Sequence, residues 1–334
     1  MNRVYNFSPG PATLPQSVLE QVQAELLDYR GQGMSILEMS HRSKAYEEIN
    51  AQAEERFKRL VSAGDDYRVI FMQGGASTQF ALVPLNFLPD GAVADYVLTG
   101  NWSEKALEEA QAIGQTHIAA NSREEGYRRI PRQEELSLSE NPAYVHITSN
   151  NTIYGTQFHY WPDVGDLPLV VDMSSDVMSR PFDANKFALV YAGAQKNIGP
   201  AGVTVVLLRK AWLERVARPQ PTMFRYNTFV EKDSLYNTPP VFSIYVLNLV
   251  LGWIEENGGL EGMERRNQQK AGYVYDAIDR SGGFYRGYAE PGSRSLMNIT
   301  FILPDEELTR QFLQQAAAEK LVGLKGYRTL GGIR

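Results

Sequence analysis

The chain has 334 residues, 43% hydrophobic and 22% charged, the balance of an ordinary soluble globular protein and more than one core comfortably holds. A net charge of −6 without any dense Lys/Arg tract argues against nucleic-acid binding, and the lack of cysteine excludes disulfides, thiolate metal sites and cysteine nucleophiles. His41, His117, His146 and His159 show no zinc-motif spacing, the longest apolar stretch (241–254) is too short to span a bilayer, and the N-terminus lacks a signal-peptide pattern. No metal, no membrane and no nucleic-acid partner are expected, and the expected location is cytoplasmic.

Val18, Leu19, Val22, Leu26 and Leu27 recur at helical spacing, as do Ala45, Ile49, Ala53, Phe57, Leu60 and Val61. Short β-branched or aromatic runs follow at 68–72, 92–98, 143–148, 167–171, 187–191 and 203–208, with helical patterns at 78–88 and 103–113 between some of them. This alternation predicts an α/β fold, a largely parallel sheet wrapped by helices, with ligands near the carboxyl ends of strands. After Asn237-Thr238-Pro239-Pro240, whose prolines suit a helix's first turn, a long apolar helix reaches about residue 256 and stops at Asn257-Gly258-Gly259. A helix at 260–281, a strand at 297–303 and a helix at 306–320 complete a small α+β domain. The expected division is a large domain over 16–256 and a small one made of 1–15 and 257–334.

One lysine stands out. Lys196 follows the apolar run 187–191 within Ala192-Gly193-Ala194-Gln195-Lys196-Asn197-Ile198-Gly199-Pro200-Ala201, whose small residues leave room for a bulky ligand. The earlier run 167–171 ends in Asp172. A lysine and an aspartate at the ends of two nearby strands suit pyridoxal phosphate: the amine forms an imine with the aldehyde, and the carboxylate keeps the ring nitrogen protonated. Taken alone, Lys196 reads as a solvated loop lysine and Asp172 as a helix cap; their pairing points to the cofactor.

Other motifs keep two readings. Gly74-Gly75-Ala76-Ser77-Thr78 opens a helix after a strand and suits an anion, or is a turn with a Ser/Thr N-cap. Trp102 can lie flat on a planar ring or belong to the core. Thr152 can donate to a phenolate or sit in a polar turn. Asn237-Thr238 is a helix start or a second anion-binding end. His41-Arg42 and the final Gly331-Gly332-Ile333-Arg334 are substrate-binding cations or surface charge.

Together these residues resemble the phosphoserine aminotransferase family, class V transaminases of the fold-type I class. The match runs from Tyr5-Asn6-Phe7-Ser8-Pro9-Gly10-Pro11-Ala12 to Arg334 and is most specific at 192–202 and in Leu235-Tyr236-Asn237-Thr238-Pro239-Pro240. The resemblance implies the three-layer PLP-transferase fold, with a mostly parallel sheet in the large domain and a small α+β C-terminal domain. It implies ping-pong transfer of an amino group from L-glutamate to 3-phosphohydroxypyruvate, giving O-phospho-L-serine and 2-oxoglutarate in serine biosynthesis. Family members often also accept the related four-carbon keto acid of vitamin B6 synthesis. Lys196 would be the Schiff-base lysine, Asp172 the partner of the ring nitrogen, Trp102 the stacking residue and Thr152 the donor to the phenolic oxygen. Ala76, Ser77 and Gln195 would hold the phosphate, joined by Asn237 and Thr238 from a neighbouring subunit, which implies a homodimer with shared sites. His41, Arg42, Arg328 and Arg334 would receive the substrate's carboxylate and phosphate.

Three departures stand against that pattern. Ala76-Ser77 replaces a Gly-Arg pair of some members, Tyr327 replaces a common histidine, and the chain stops at Arg334 where the family usually continues through a strand and a helix. The last departure implies a small domain that is incomplete at its C-terminus. The alternatives are another class V aminotransferase, such as one acting on alanine or serine with glyoxylate, and a non-catalytic scaffold of the same fold. Retention of both Lys196 and Asp172 weighs against the scaffold.

Overall fold

A computed structural model describes residues 3–334. After the short strand β1 (Tyr5–Asn6) come helices α1 (Gln16–Glu25) and α2 (Lys44–Leu60), then strand β2 (Tyr67–Met72). Helix α3 (Gly75–Phe87), strand β3 (Val93–Leu98), helix α4 (Asn101–Gln111) and strand β4 (Gln115–Asn121) continue the alternation. Strands β5 (Val145–Thr148), β6 (Asn150–Asn151), β7 (Thr156–Gln157), β8 (Leu169–Asp172), β9 (Leu189–Gly193) and β10 (Thr204–Arg209) follow. Helices α5 (Lys210–Leu213), α6 (Tyr226–Glu231), α7 (Val241–Glu256) and α8 (Gly259–Asp279) lead to strands β11 (Arg286–Gly287) and β12 (Phe301–Ile302), helix α9 (Glu306–Ala318) and strand β13 (Leu321–Val322).

Among the described residues, seven strands form the central sheet in the order β2-β10-β9-β8-β5-β3-β4. Only β10 runs against the rest. The reason is local: residues 194–203 join β9 to β10 through a short loop closed by Ala194 N–H to Val203 O at 3.1 Å, too short for a parallel crossover. Side chains alternate between two apolar clusters. Val69 and Phe71 of β2 face the α2–α7 side, whereas Ile70 and Met72 face the α3–α4 side. Both faces are buried, so the strands read as unbroken apolar runs, and the result is three layers.

The six predicted strands are present within a few residues of the expected positions. β4 is a strand that the sequence pattern does not announce, because Gln115, Thr116, His117 and Ile118 lie at the sheet edge with little burial to impose alternation. The expected strand at 297–303 shrinks to Phe301–Ile302, paired with β11. The prolines before α7 stand outside its first turn, with Pro240 at the N-cap. Helix α7 is buried for most of its length, which explains its uniform apolarity. Beyond it, β1 pairs in parallel with β13, and a third apolar cluster joins Ile278, Phe301, Leu303 and Ile333.

Under the sheet's carboxyl edge, on the α3–α4 face, His146 of β5 is buried, shares a 2.8 Å hydrogen bond with the Tyr191 hydroxyl and stacks on Tyr96 at 4.9 Å. Burial pushes this imidazole down from 6.5 to about 3. The unfolded chain therefore takes up a proton near pH 6.5 that the folded protein refuses until about pH 3, so stability falls as pH drops through that window. One such group changes stability by at most ~1.4 kcal/mol per pH unit. Urea unfolding of the His146→Phe variant should show a shallower loss of stability between pH 6.5 and 4 than wild type. Parallel curves would mean that this imidazole is not held neutral.

Candidate active site

Asp172 is the last residue of β8, and Tyr191 of β9 is its register partner. The aspartate is 4% exposed, and its Oδ1 accepts the Ser174 backbone N–H at 2.9 Å. Ser174 is itself fixed, since its Oγ accepts the Gly193 N–H at 3.1 Å. The helix-cap reading of Asp172 taken alone does not apply: its carboxylate folds onto the turn that follows β8. Burial raises the Asp172 carboxyl, while the positive charge of Lys196 and the hydrogen bonds from Ser174 pull it back down.

Lys196 lies in the loop after β9, one residue beyond Gln195, whose backbone O accepts the Ala12 N–H at 2.8 Å. Residues 194–199 wind into a turn, with Ile198 N–H and Gly199 N–H both reaching Ala194 O. Desolvation lowers the Lys196 ammonium from its ordinary value, against the charges of Asp172 and Asp176 and with help from the cation Arg334. A weakened ammonium is the form a nucleophilic or proton-carrying amine requires. The stem of Lys196 is pressed by Gly10, where a β-carbon would lie 3.0 Å from Lys196 Cγ.

Lys196 Nζ stands 5.2 Å from the centroid of the Trp102 ring. Trp102 opens α4, whose start is secured by Ser103 Oγ accepting from Thr99 N–H and Gly100 N–H at 3.0 and 3.1 Å. The Trp102 indole donates to Thr152 Oγ1 at 3.1 Å, so the threonine's own proton is left to give elsewhere. Thr152 begins the turn of the β6–β7 hairpin, and its carbonyl faces Arg334 Nη1 at 3.4 Å. Arg334 is half-buried, its Nε has no hydrogen-bond partner, and its guanidinium lies 6.0 Å from the Tyr327 ring. Burial lowers its basicity.

Helix α3 begins after Gly74, which takes a left-handed conformation at φ 91°, and no side chain caps it. Of the two readings of this motif, the Ser/Thr N-cap is not what the structure shows: Ser77 and Thr78 lie inside the first turn, where Thr78 Oγ1 donates to Gly74 O at 3.1 Å. The first-turn amides beside half-buried Ala76 and exposed Ser77 are therefore uncommitted to any cap. The Gln195 side chain folds back over Gly193.

The structure thus brings Lys196, Asp172, Trp102, Thr152 and Arg334 together. Among the described residues, none of His41, Arg42, Arg328, Asn237 and Thr238 forms a hydrogen bond or ion pair with that group. Arg42 is exposed with its Nε 3.5 Å from His41 Nε2, Arg328 and Thr238 are exposed, and Asn237 Oδ1 is buried without a partner. Sequence reasoning passed over Ser174 and Asp176. The run Asp172-Met173-Ser174-Ser175-Asp176 directly after an apolar strand was the signal available, since a polar cluster there must be buried and paired.

The aminotransferase class-V family model matches residues 4–325. A curated relative, the phosphoserine aminotransferase of Herpetosiphon aurantiacus, is 59% identical over 99% of this chain and 92% of its own length. The solved phosphoserine aminotransferase from Bacillus circulans subsp. alkalophilus is 55% identical with a TM-score of 0.98, covering 100% of this chain and 92% of that one. The PLP-bound phosphoserine aminotransferase from Trichomonas vaginalis is 38% identical with a TM-score of 0.93, covering 99% and 94%.

The Gly10 contact gives a test of the site's tolerance. A Gly10→Ala variant should fold normally yet lose about tenfold in kcat, because the added methyl displaces the Lys196 stem by a few tenths of an ångström. Wild-type kcat in that variant would show that the lysine is not held at its stem.

Proposed function

This chain belongs to the phosphoserine aminotransferases of the class-V aminotransferase family, PLP-dependent transaminases of serine biosynthesis, and we propose that Lys196 and Asp172 are its reacting centre. The observation that carries this reading is the pair itself: a half-buried amine depressed by desolvation, over the Trp102 ring at 5.2 Å, and acted on by the charge of a buried carboxylate at a strand end. The residues fit pyridoxal phosphate. Thr152 has a proton to donate, α3 has uncapped amides for an anion, and Arg334 carries a buried unpartnered Nε.

Bound there, the cofactor supplies an aldehyde for amines and a ring that takes up the electron pair left when the substrate's α-proton departs. Lys196 Nζ holds the aldehyde at rest and afterwards carries the α-proton. Asp172 holds a proton at the ring nitrogen, and Ser174 keeps its carboxylate aimed. Trp102 orients the ring, and Thr152 Oγ1 donates to the phenolic oxygen. Ala76, Ser77 and Gln195 bind the phosphate through backbone amides, a hydroxyl and an amide, without the arginine found in some relatives.

L-Glutamate and 3-phosphohydroxypyruvate are the proposed substrates, received by His41, Arg42, Arg328 and Arg334. The lack of any hydrogen bond from Asn237 or Thr238 to the lysine's group, with Asn237 Oδ1 unpartnered, supports their serving the site of a second copy, hence a homodimer. The proposed domain division is 16–256 against 1–15 with 257–334, supported by the β1–β13 pairing; Met1 and Asn2 lie outside the described residues. Among the described residues no helix is long and apolar enough to cross a membrane, and the cytoplasm is the proposed location.

The cofactor's absorption band should fall when L-glutamate is added to the loaded protein and return with 3-phosphohydroxypyruvate. A band that answers glutamate but not the phosphorylated acid overturns the substrate assignment. Lys196→Ala should lose roughly four orders of magnitude in turnover, as both covalent holder and proton carrier. Asp172→Ala should still bind cofactor but slow the half-reaction by about a hundredfold; an unchanged rate removes Asp172 from the centre.

A further inference from the structure

Behind the reacting centre lie two buried side-chain amides that the mechanism does not use. Asn150 and Gln157 stand at opposite ends of the β6–β7 hairpin as register partners, and both are nearly inaccessible. Asn150 Nδ2 donates to Ser175 Oγ at 2.8 Å and to Asn298 Oδ1 at 2.8 Å, while Asn150 Oδ1 accepts from Ser295 Oγ at 2.5 Å. Gln157 Nε2 donates to Asp176 Oδ2 at 3.0 Å, and Gln157 Oε1 accepts the Leu296 N–H at 3.0 Å. Each amide therefore joins the same two segments: the turn after Asp172, through Ser175 and Asp176, and the C-terminal stretch 295–298. Gln157 does this with its donor end on Asp176 and its acceptor end on Leu296, whereas the Asn150 donor end serves both segments and its acceptor end takes Ser295 Oγ.

The connection closes into a ring. Three residues beyond Asn298, Phe301 exchanges backbone hydrogen bonds with Ile333 at 2.8 and 3.0 Å. Ile333 fixes Arg334, which returns to the Thr152 carbonyl at the hairpin's turn. The turn itself is held against the C-terminal stretch: Ser295 N–H reaches Gly155 O at 2.8 Å and Thr300 Oγ1 reaches Ile153 O at 3.1 Å. Gly155 has φ 72°, and a β-carbon there would come within 2.8 Å of Asn298 O. Nothing bulkier than glycine lets the two backbones approach so closely.

The geometry points to Asn150 and Gln157 as positioning residues: a double amide clasp that sets the spacing between the Asp172 turn and Arg334. This rests on the proposed role of Arg334 toward the acidic substrate. Opening the clasp leaves Lys196, Trp102 and Thr152 in place but lets Arg334 drift, so the loss falls on substrate affinity more than on the chemical step.

The test has one arm that needs no turnover. In cofactor-free protein, hydrogen exchange of peptides covering 294–300 should speed up at least about tenfold in Gln157→Ala and in Asn150→Ala. With cofactor and both substrates, the same variants should raise KM for the keto acid about tenfold while kcat stays within about threefold. Gln157→Glu keeps the shape but faces Asp176 with a second carboxylate. Its defect should exceed that of Gln157→Ala at pH 8 and shrink towards pH 6. A merely structural role predicts a lower Tm with unchanged KM in all of these variants, and that result overturns the clasp. Unchanged exchange at 294–300 overturns it too. Should wild type fail the spectral test above, the exchange arm still decides the clasp, and only the assignment of Arg334 to the substrate falls with the proposed function.

Discussion

The electrostatic coupling of two ionisable groups, the buried Asp172 and the half-buried Lys196, imposes the main constraint on this molecule. Desolvation alone drives both towards neutrality, raising the carboxyl and lowering the amine, while each charge opposes the other's shift. A desolvated pair of this kind persists only where the surrounding groups over-determine its geometry. Much of the local architecture meets that demand. Strand register places Asp172 beside Tyr191 of β9, the Ser174 hydroxyl ties the carboxylate's turn to Gly193, and the antiparallel return into β10 turns the chain at the lysine.

The same demand explains why so many polar side chains are buried under the carboxyl ends of the strands. Ser149, Asn150, Asn151, Gln157, Ser174, Ser175 and Asp176 are all largely inaccessible, a costly arrangement unless each is paired. Their hydrogen bonds run from the Asp172 turn through the hairpin to the C-terminal stretch that carries Arg334. Apart from Asn151 Oδ1, which has no partner, these side chains are hydrogen-bonded, and such a network rigidly spaces the Asp172 turn from the segment that carries Arg334.

The uncapped start of α3 and the unpartnered Nε of Arg334 are the complementary feature. Elsewhere the fold finds partners for most of its buried donors; here donors and charge stand ready for an anionic ligand. On the proposed reading, the phosphate would meet the oriented amides at Ala76-Ser77, whose field is strongest within the first turn of a helix, and the substrate would meet guanidinium groups.

Much of this was legible in the amino-acid order. Apolar runs bounded by small residues placed six strands of the central sheet, because strands buried on both faces cannot hide polar residues; Asp172 was found at the end of one such run and Lys196 among the small residues just beyond another. Edge strand β4 was not legible, since little burial shapes its pattern, nor was the uncapped start of α3, where glycine at φ 91° leads into the helix with no side chain to cap it. Only the tertiary structure decided that Trp102, Thr152 and Arg334, spread over more than two hundred positions, meet at the lysine, and that Asn150 and Gln157 face the same two segments. The physical reason is that local order determines burial and periodicity, whereas hydrogen bonds between distant segments depend on strand register and on how closely two backbones pass, as they do at Gly155.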